Sequence, residues 1–248
     1  MTVLVGGVSQ LYQGDLDLGR RAAERLGAEA LGPGVVVEEL HYGAVAVAQR
    51  LEDLRPTALI LVGAAERARP PGTVQRRRVR PSTAPTEVVQ RAVADAVTGY
   101  VTIDLVVNVG TGLGALPART VTVEVEPVRT EPCEDLSPEA EAGLEEALEL
   151  VRTELRRLPV LELADQLRAL AAEARLEPAP ALDVLRELLG ELRRLDEDGR
   201  WGAAFRLRDR LRYHIAEGAT GDGMDGLDWT LWWALIEELD RLQAVESA

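Results

Sequence analysis

The sequence predicts an α/β fold: a doubly wound, mostly parallel twisted sheet flanked by helices, with a C-terminal all-α extension. Three observations predict it. Short apolar runs at 2–6 (TVLVG), 35–40 (VVVEEL) and 57–63 (TALILVG) alternate with helix-period segments. The run at 57–63 is apolar on both faces, as a central parallel strand requires. Beyond Leu158-Pro159 the strand-like runs stop and only helical patterns remain.

Taken in order, residues 2–6 end in glycine and read as a buried first strand. Leu18, Ala22, Ala23 and Leu26 then recur at helical spacing, with Asp15 or Asp17 where an N-cap or first-turn acid favours the helix. A second strand at 35–40, a short helix at 45–53 and a third strand at 57–63 follow. Pro70-Pro71-Gly72 makes a turn into an edge strand at 73–79 (TVQRRRV), and 80–85 (RPSTAP) is a loop. Thr86 caps a helix to about Thr98, and 101–113 fits helix or strand equally. Residues 120–127 (TVTVEVEP) are another strand. Ser137 as N-cap, Pro138 at the first helical position and Glu139 and Glu141 in the first turn open a long helix to about Leu158. The expected domains are therefore 1–157 and 160–248. The second holds about four helices, at 161–176, 180–195, 200–217 and 228–244.

The 248 residues are 46% hydrophobic, ample for a buried core, and carry a formal net charge of −14. That charge repels phosphate and argues against nucleic acid or an anionic membrane as partner. Every basic residue except two histidines is arginine. Cys133 is the single cysteine, so no intramolecular disulfide forms, which fits a reducing cytoplasm. No apolar run reaches the roughly 18 residues of a membrane span, and the first strand is too short for a signal peptide.

Several residues stand out as candidates for chemistry. Asp15 and Asp17 read either as a metal or substrate site in the first loop or as acids favoured at a helix N-terminus. Asp104 lies among valines and must be paired, capping or lining a cleft, since a bare buried carboxylate is costly. His41 follows the second strand, on the side where open α/β sheets bind ligands, but lone surface histidines are common. The GTGLGA run from Gly110 resembles a dinucleotide loop without the first-βα placement or a ribose-binding acid. Cys133 sits between acids, which raise a thiol pKa, and lacks a nearby histidine base. Asp222, Asp225 and Asp228 do not keep calcium-loop spacing, and Asp228 reads as an N-cap. Trp201, Trp229, Trp232, Trp233 and the only phenylalanine, Phe205, all fall in the tail. Trp229, Trp232, Trp233, Ile236 and Leu239 share a helical face, which suits either a small helical core or an interface for a homodimer or second partner. Arg208 and Arg212 also share a face and can pair with acids on other helices.

A string of segments carries a family resemblance. VLVGG at 3–7 leads into GDLDLGRRAAERL at 14–26. LRPTALILVGAAERARPPGTVQRRRV spans 54–79, and ALPARTVTVEVEP at 115–127 is followed by LSPEAEAGLEEALELV at 136–151. In order and spacing, residues 1–157 resemble the hydrogenase maturation endopeptidases. The resemblance implies an α/β fold and removal of a C-terminal extension from the large subunit of a nickel–iron hydrogenase. The nickel is presented by that substrate, and no cofactor is firmly bound. In the family an acid in the first loop, an Asp after the third strand and a later His read the metal, ligands that suit a borderline divalent ion able to polarise the scissile carbonyl.

Residue by residue the chain departs from that set. Aligned on Gly19, the first acid becomes Leu16, flanked by Asp15 and Asp17. The second becomes Gly63, with Glu66 a few residues on. The histidine becomes Ala84 or, if 84–97 is an inserted helix, Gly99 or Tyr100 with Asp104 nearby. Neither His41 nor His214 falls in the matching place. The resemblance thus implies Asp15, Asp17 and Asp104 as catalytic candidates and Asp15 as the metal-binding candidate. Two functions follow: a maturation protease acting on the large subunit, or a non-catalytic assembly protein that kept the fold. A small-molecule hydrolase lacks a nucleophile–base pair.

Overall fold

The computed structural model describes residues 2–80, 100–172, 179–198, 201, 204–218 and 229–246. Five strands, β1 (Val3–Val8), β2 (Val35–Leu40), β3 (Ala58–Ala64), β4 (Val74–Val79) and β5 (Arg119–Val125), form one sheet in the order β2-β1-β3-β5-β4. β1 pairs in parallel with both β2 and β3, and β3 with β5. Only β4 is antiparallel, in register from Val74 opposite Val125 to Val79 opposite Thr120. The mostly parallel doubly wound sheet is therefore present, with β4 on its edge.

Period-two alternation sorts each strand between the two faces. Leu4 and Val8 of β1 and Leu59 and Leu61 of β3 join one core, built with α2 (Ala44–Leu54) and α3 (Ile103–Gly112). On the other face lie α1 (Leu18–Gly27) and the first turns of α4 (Pro138–Ala172). Arg25 of α1 pairs with Glu141 and Glu145 of α4, and Gly143 packs on Val125. Helix α1 approaches β1 so closely that a Cβ on Gly7 would lie 2.0 Å from the Gly19 carbonyl oxygen, and one on Gly19 2.1 Å from that of Val8. Only glycine permits this approach.

The segment 101–113, ambiguous in sequence, is helical. Thr102 caps it, its hydroxyl accepting from Leu105 N at 3.1 Å, and Ile103, Val106, Val109 and Gly110 form its buried stripe. Ser137 caps α4 as expected, its Oγ accepting from Ala140 N at 3.1 Å. The helix expected from Thr86 to Thr98 and the Asp222–Asp228 loop lie outside the described residues.

The chain forms two compact units, Met1–Glu154 and Leu155–Ala248. They divide inside α4, because the helix expected to stop near Leu158 runs through Pro159 to Ala172. The sequence signal is real, since proline removes a helix hydrogen bond and clashes with the preceding turn. Here the buried side chains of Leu158, Val160, Leu161, Ala164 and Leu167 keep the apolar stripe going past it.

The second unit holds α5 (Ala179–Asp198), α6 (Ala204–Gly218) and α7 (Trp229–Glu246). The tryptophan face divides. Trp232, Ile236 and Leu239 are buried, whereas Trp233 is 49% exposed. Trp233 stands about 100° round the helix from Trp232, on the exposed side of the buried stripe. The arginines of α6 are paired: Arg208 and Arg212 both reach Asp240 of α7, and Arg210 reaches Glu187 and Glu191 of α5. Buried Arg157 lies over the Trp201 ring, 5.5 Å from its centroid. Among the described residues, Trp201 and Trp232 go into the unit's own core and Arg208, Arg210 and Arg212 into ion pairs between its helices, and none of these contacts supports the homodimer expected through these helices.

Candidate functional site

In an open α/β sheet, ligands bind outside the carboxyl ends of the strands where the winding reverses. Here β2 and β3 lie on opposite sides of β1, so that point falls between β1 and β3. A cleft of about 130 Å³ sits there. Its first wall is the end of β1 and the following loop, with Val8, Gln10 and Leu16. Its second is Ala64, Ala65 and Glu66 after β3. Its third is the start of α3, from Val101 to Asp104. The volume is below the roughly 300–1,000 Å³ of a drug-sized or cofactor pocket and suits a side chain or chain end.

The polar groups differ sharply in commitment. Arg67 bonds Asp104 through two nitrogens, at 2.6 and 2.8 Å, and buried Glu124 at 2.9 Å. Arg77 reaches the same two carboxylates. The Arg67 backbone N–H donates to Glu126 at 2.9 Å, and Arg69 Nε does so at 3.0 Å. Arg67 therefore ties the loop after β3 to both α3 and β5. The Arg67 hydrogen bond holds the Asp104 carboxyl below the usual carboxylate range, against burial. Burial would push Glu124 up, but Arg67, Arg77 and the Thr122 hydroxyl lower it on balance. Glu66 is different. It is exposed, lines the cleft and makes no hydrogen bond or ion pair among the described residues.

Asp15 and Asp17 lie beneath the first loop and not in the cleft. Asp15 is fully buried and accepts four hydrogen bonds: from the amides of Val128 (2.8 Å), Arg129 (2.8 Å) and Ser137 (2.7 Å), and from the Ser137 hydroxyl (2.8 Å). Burial raises its pKa, but these bonds outweigh it and hold the carboxyl below its ordinary value. Asp17 is equally buried and takes Arg20 Nε on both oxygens, at 3.0 and 2.9 Å, so the expected side-chain cap of α1 is replaced by an ion pair. Of the three acids singled out from sequence, only Asp104 reaches the cleft.

Of the aligned positions, Ala84 and Gly99 lie outside the described residues, and Leu16 and Gly63 carry no metal-binding side chain. Leu16 lines the cleft. Gly63 stands at the end of β3, where a Cβ would lie 2.5 Å from the Val8 carbonyl oxygen, so the backbone leaves no room for an Asp. Among the described residues, no group of three His, Cys, Asp or Glu side chains could hold a metal ion. Among the described residues the cleft offers the carboxylates of Glu66 and Asp104, an all-oxygen pair that does not fit a resident nickel.

The other candidates fall away from the cleft. His41 sits 3.8 Å from Glu39 and edge-on to Tyr42. Gly110 and Gly112 lie at the C-terminal end of α3, where no helix N-terminus faces a phosphate. Cys133 is half-buried, with Arg129 Nη1 3.6 Å from its Sγ. Gln10 and Arg67 carry no motif in the sequence that marks them, and Glu66 stands out there only by lying a few residues beyond Gly63. A carboxylate two residues past a buried strand, followed by Arg67 and Arg69, was the available signal. Among the described residues no helix is long and apolar enough to cross a membrane.

No protein-family model matches the sequence, and no curated protein matches it. Solved structures do. The hydrogenase maturating endopeptidase HybD of E. coli is 27% identical, with a TM-score of 0.46 over 63% of this chain and 93% of that one. An endopeptidase of Escherichia coli is 25% identical, with a TM-score of 0.48 over 63% and 93%. The hydrogenase 2 maturation peptidase of a Thaumarchaeota archaeon is 24% identical, with a TM-score of 0.46 over 62% and 98%. Over 62–63% of its length, the chain resembles hydrogenase maturation endopeptidases.

Proposed function

We propose that this protein is a hydrogenase maturation protease-like factor whose cleft engages the C-terminal extension of a nickel–iron hydrogenase large subunit. One observation carries the reading. The cleft at the β1/β3 switch point is built by the first loop, the end of β3 and the start of α3. The resemblance places two of the family's metal-reading positions, at Leu16 and Gly63, in the first loop and at the end of β3. The cleft's small volume suits a peptide side chain or chain end better than a cofactor.

Nickel enters as part of the substrate, where a metal can polarise a carbonyl as a Lewis acid. This chain's own contribution is an apolar seat, formed by Val8, Leu16, Ala64, Ala65, Val101 and Ile103, with Glu66 and Asp104 as the carboxylates facing the bound segment. Asp104 is oriented by Arg67. Asp15 and Asp17 hold the first loop in place.

A second reading, binding without cleavage, is favoured by Leu16 and Gly63 at the two positions where the family has acids. One experiment addresses both: nickel-loaded large-subunit precursor is incubated with the protein, then weighed by mass spectrometry and assayed for complex formation. Loss of the extension supports the proteolytic reading. A stable complex with the precursor's mass unchanged supports the binding reading. No complex and no cleavage would overturn the proposal.

A further inference from the structure

The charges around the cleft do not cancel. Arg67 pairs with Asp104 and Glu124, Arg77 with the same two, and Arg69 with Glu124 and Glu126. Three cations thus meet three carboxylates. Glu66, directly before Arg67, is left over. It lines the cleft, is exposed and has no hydrogen-bond or ion-pair partner among the described residues. None of the described residues lining the cleft is Arg or His, and the chain has no Lys.

The other lining residues set what else an occupant needs. Val8, Leu16, Ala64, Ala65, Val101 and Ile103 make apolar walls. The Gln10 carboxamide makes no hydrogen bond among the described residues, and the Asp104 side chain is half-exposed. A carboxylate chain end would meet Glu66 and Asp104 with no free cation to receive it. A wholly apolar side chain would take water from Glu66 and give nothing back, which is costly. A metal ion would find no group of three His, Cys, Asp or Glu ligands among the described residues. An apolar stem with a cationic head satisfies both the walls and the unpaired charge.

Shape then separates the two organic cations. A guanidinium fork pairs best with a carboxylate whose two oxygens are both free. Asp104 already gives its two oxygens to Arg67, at 2.6 and 2.8 Å. An ammonium is a compact charge with three rotatable donors and no planar requirement. It can donate to Glu66, to the Gln10 carboxamide oxygen and to a remaining lone pair of Asp104. We infer that the cleft seats a lysine side chain, its stem on the apolar walls and its ammonium on Glu66. This deepens the proposed function and rests on it only for the source of the lysine; the choice of ammonium follows from the cleft's own charge and shape.

The test titrates the isotope-labelled full-length protein with N-acetyl-lysine methylamide and with its norleucine, arginine and glutamate counterparts, reading shifts of the amides that line the cleft. Norleucine keeps the stem and lacks the ammonium. The lysine probe is expected to bind at least about fivefold tighter than norleucine, and tighter than arginine, with no binding of glutamate. Glu66→Gln, at an exposed and unpaired position, leaves the fold intact and brings the lysine probe down to the norleucine affinity. Equal affinity for lysine and norleucine, tighter binding of arginine, or wild-type lysine affinity in Glu66→Gln would overturn the inference. So would tight stoichiometric binding of nickel chloride in calorimetry. The nickel-loaded precursor separates this from the proposed function. A precursor complex without lysine-probe binding overturns the ammonium seat alone. Lysine-probe binding without a precursor complex overturns the proposed function alone.

Discussion

Asp15 shows how one residue type can support two incompatible roles. From sequence it is an acid in a loop where a metal-reading acid is expected. In the structure its carboxylate is saturated by three backbone amides and one hydroxyl, joining the first loop to the segment before α4. Hydrogen bonds to a buried charge are each worth about 1.5–3 kcal/mol, and an unpaired donor costs more. Asp15→Asn should therefore destabilise the N-terminal unit by about 2–4 kcal/mol, because the amide turns an NH2 towards backbone N–H donors. Urea melts followed by far-ultraviolet circular dichroism would check this, and an unchanged midpoint would refute the clamp. Gly63 makes the converse point. Gly63→Ala puts a Cβ 2.5 Å from the Val8 carbonyl oxygen and should cost about 1–3 kcal/mol, and Gly63→Asp more. Gly63→Asp should thus lower the melting temperature without creating nickel binding, as calorimetry would show. Neither role was legible in the sequence. The Asp15 partners lie more than 110 residues away, and the closeness of β1 to Gly63 is a property of strand packing.

At the scale of elements, the strands were legible because parallel strands buried on both faces read as continuous apolar runs. β3 is ALILVGA, buried along all but its last residue. The segment 101–113 was not, because its valines suit strand and helix alike, and the deciding signal is Thr102 accepting from Leu105 N. The cleft was legible only in part. Asp104 could be singled out as a charge among valines, whereas its Arg67 partner stands 37 residues earlier in a loop. Helix α4 overran its expected end because burial of Leu158, Val160 and Leu161 outweighs the local penalty of Pro159. If so, that penalty is still present in the native state. Pro159→Ala should restore the missing amide donor and stabilise the helix by about 1–3 kcal/mol, seen as a higher melting temperature. A destabilised variant would mean that the ring's own packing outweighs the lost hydrogen bond.

At the scale of the whole molecule, the two units use charge differently. Among the described residues, the carboxyls held below their ordinary values are Asp15, Glu29, Asp104, Glu124 and Glu126, all in the first unit. A carboxyl with a lower pKa folded than unfolded binds fewer protons in the folded state, so it adds stability above its unfolded value. That contribution is lost as pH falls from about 4–4.5 through the depressed folded values. The tryptophans provide a way to see this unit by unit, since Trp201, Trp229, Trp232 and Trp233 all lie in the second. Tryptophan fluorescence then follows the helical unit, and circular dichroism at 222 nm follows both. Urea melts from pH 7 down to about pH 3 should show the dichroism transition separating from the fluorescence transition below about pH 4.5. The separated phase belongs to the α/β unit, and Asp15→Asn should make it less dependent on pH because one depressed carboxyl has been removed. Coincident transitions at every pH would mean that the two units unfold together and that the acid-sensitive network destabilises the molecule as a whole.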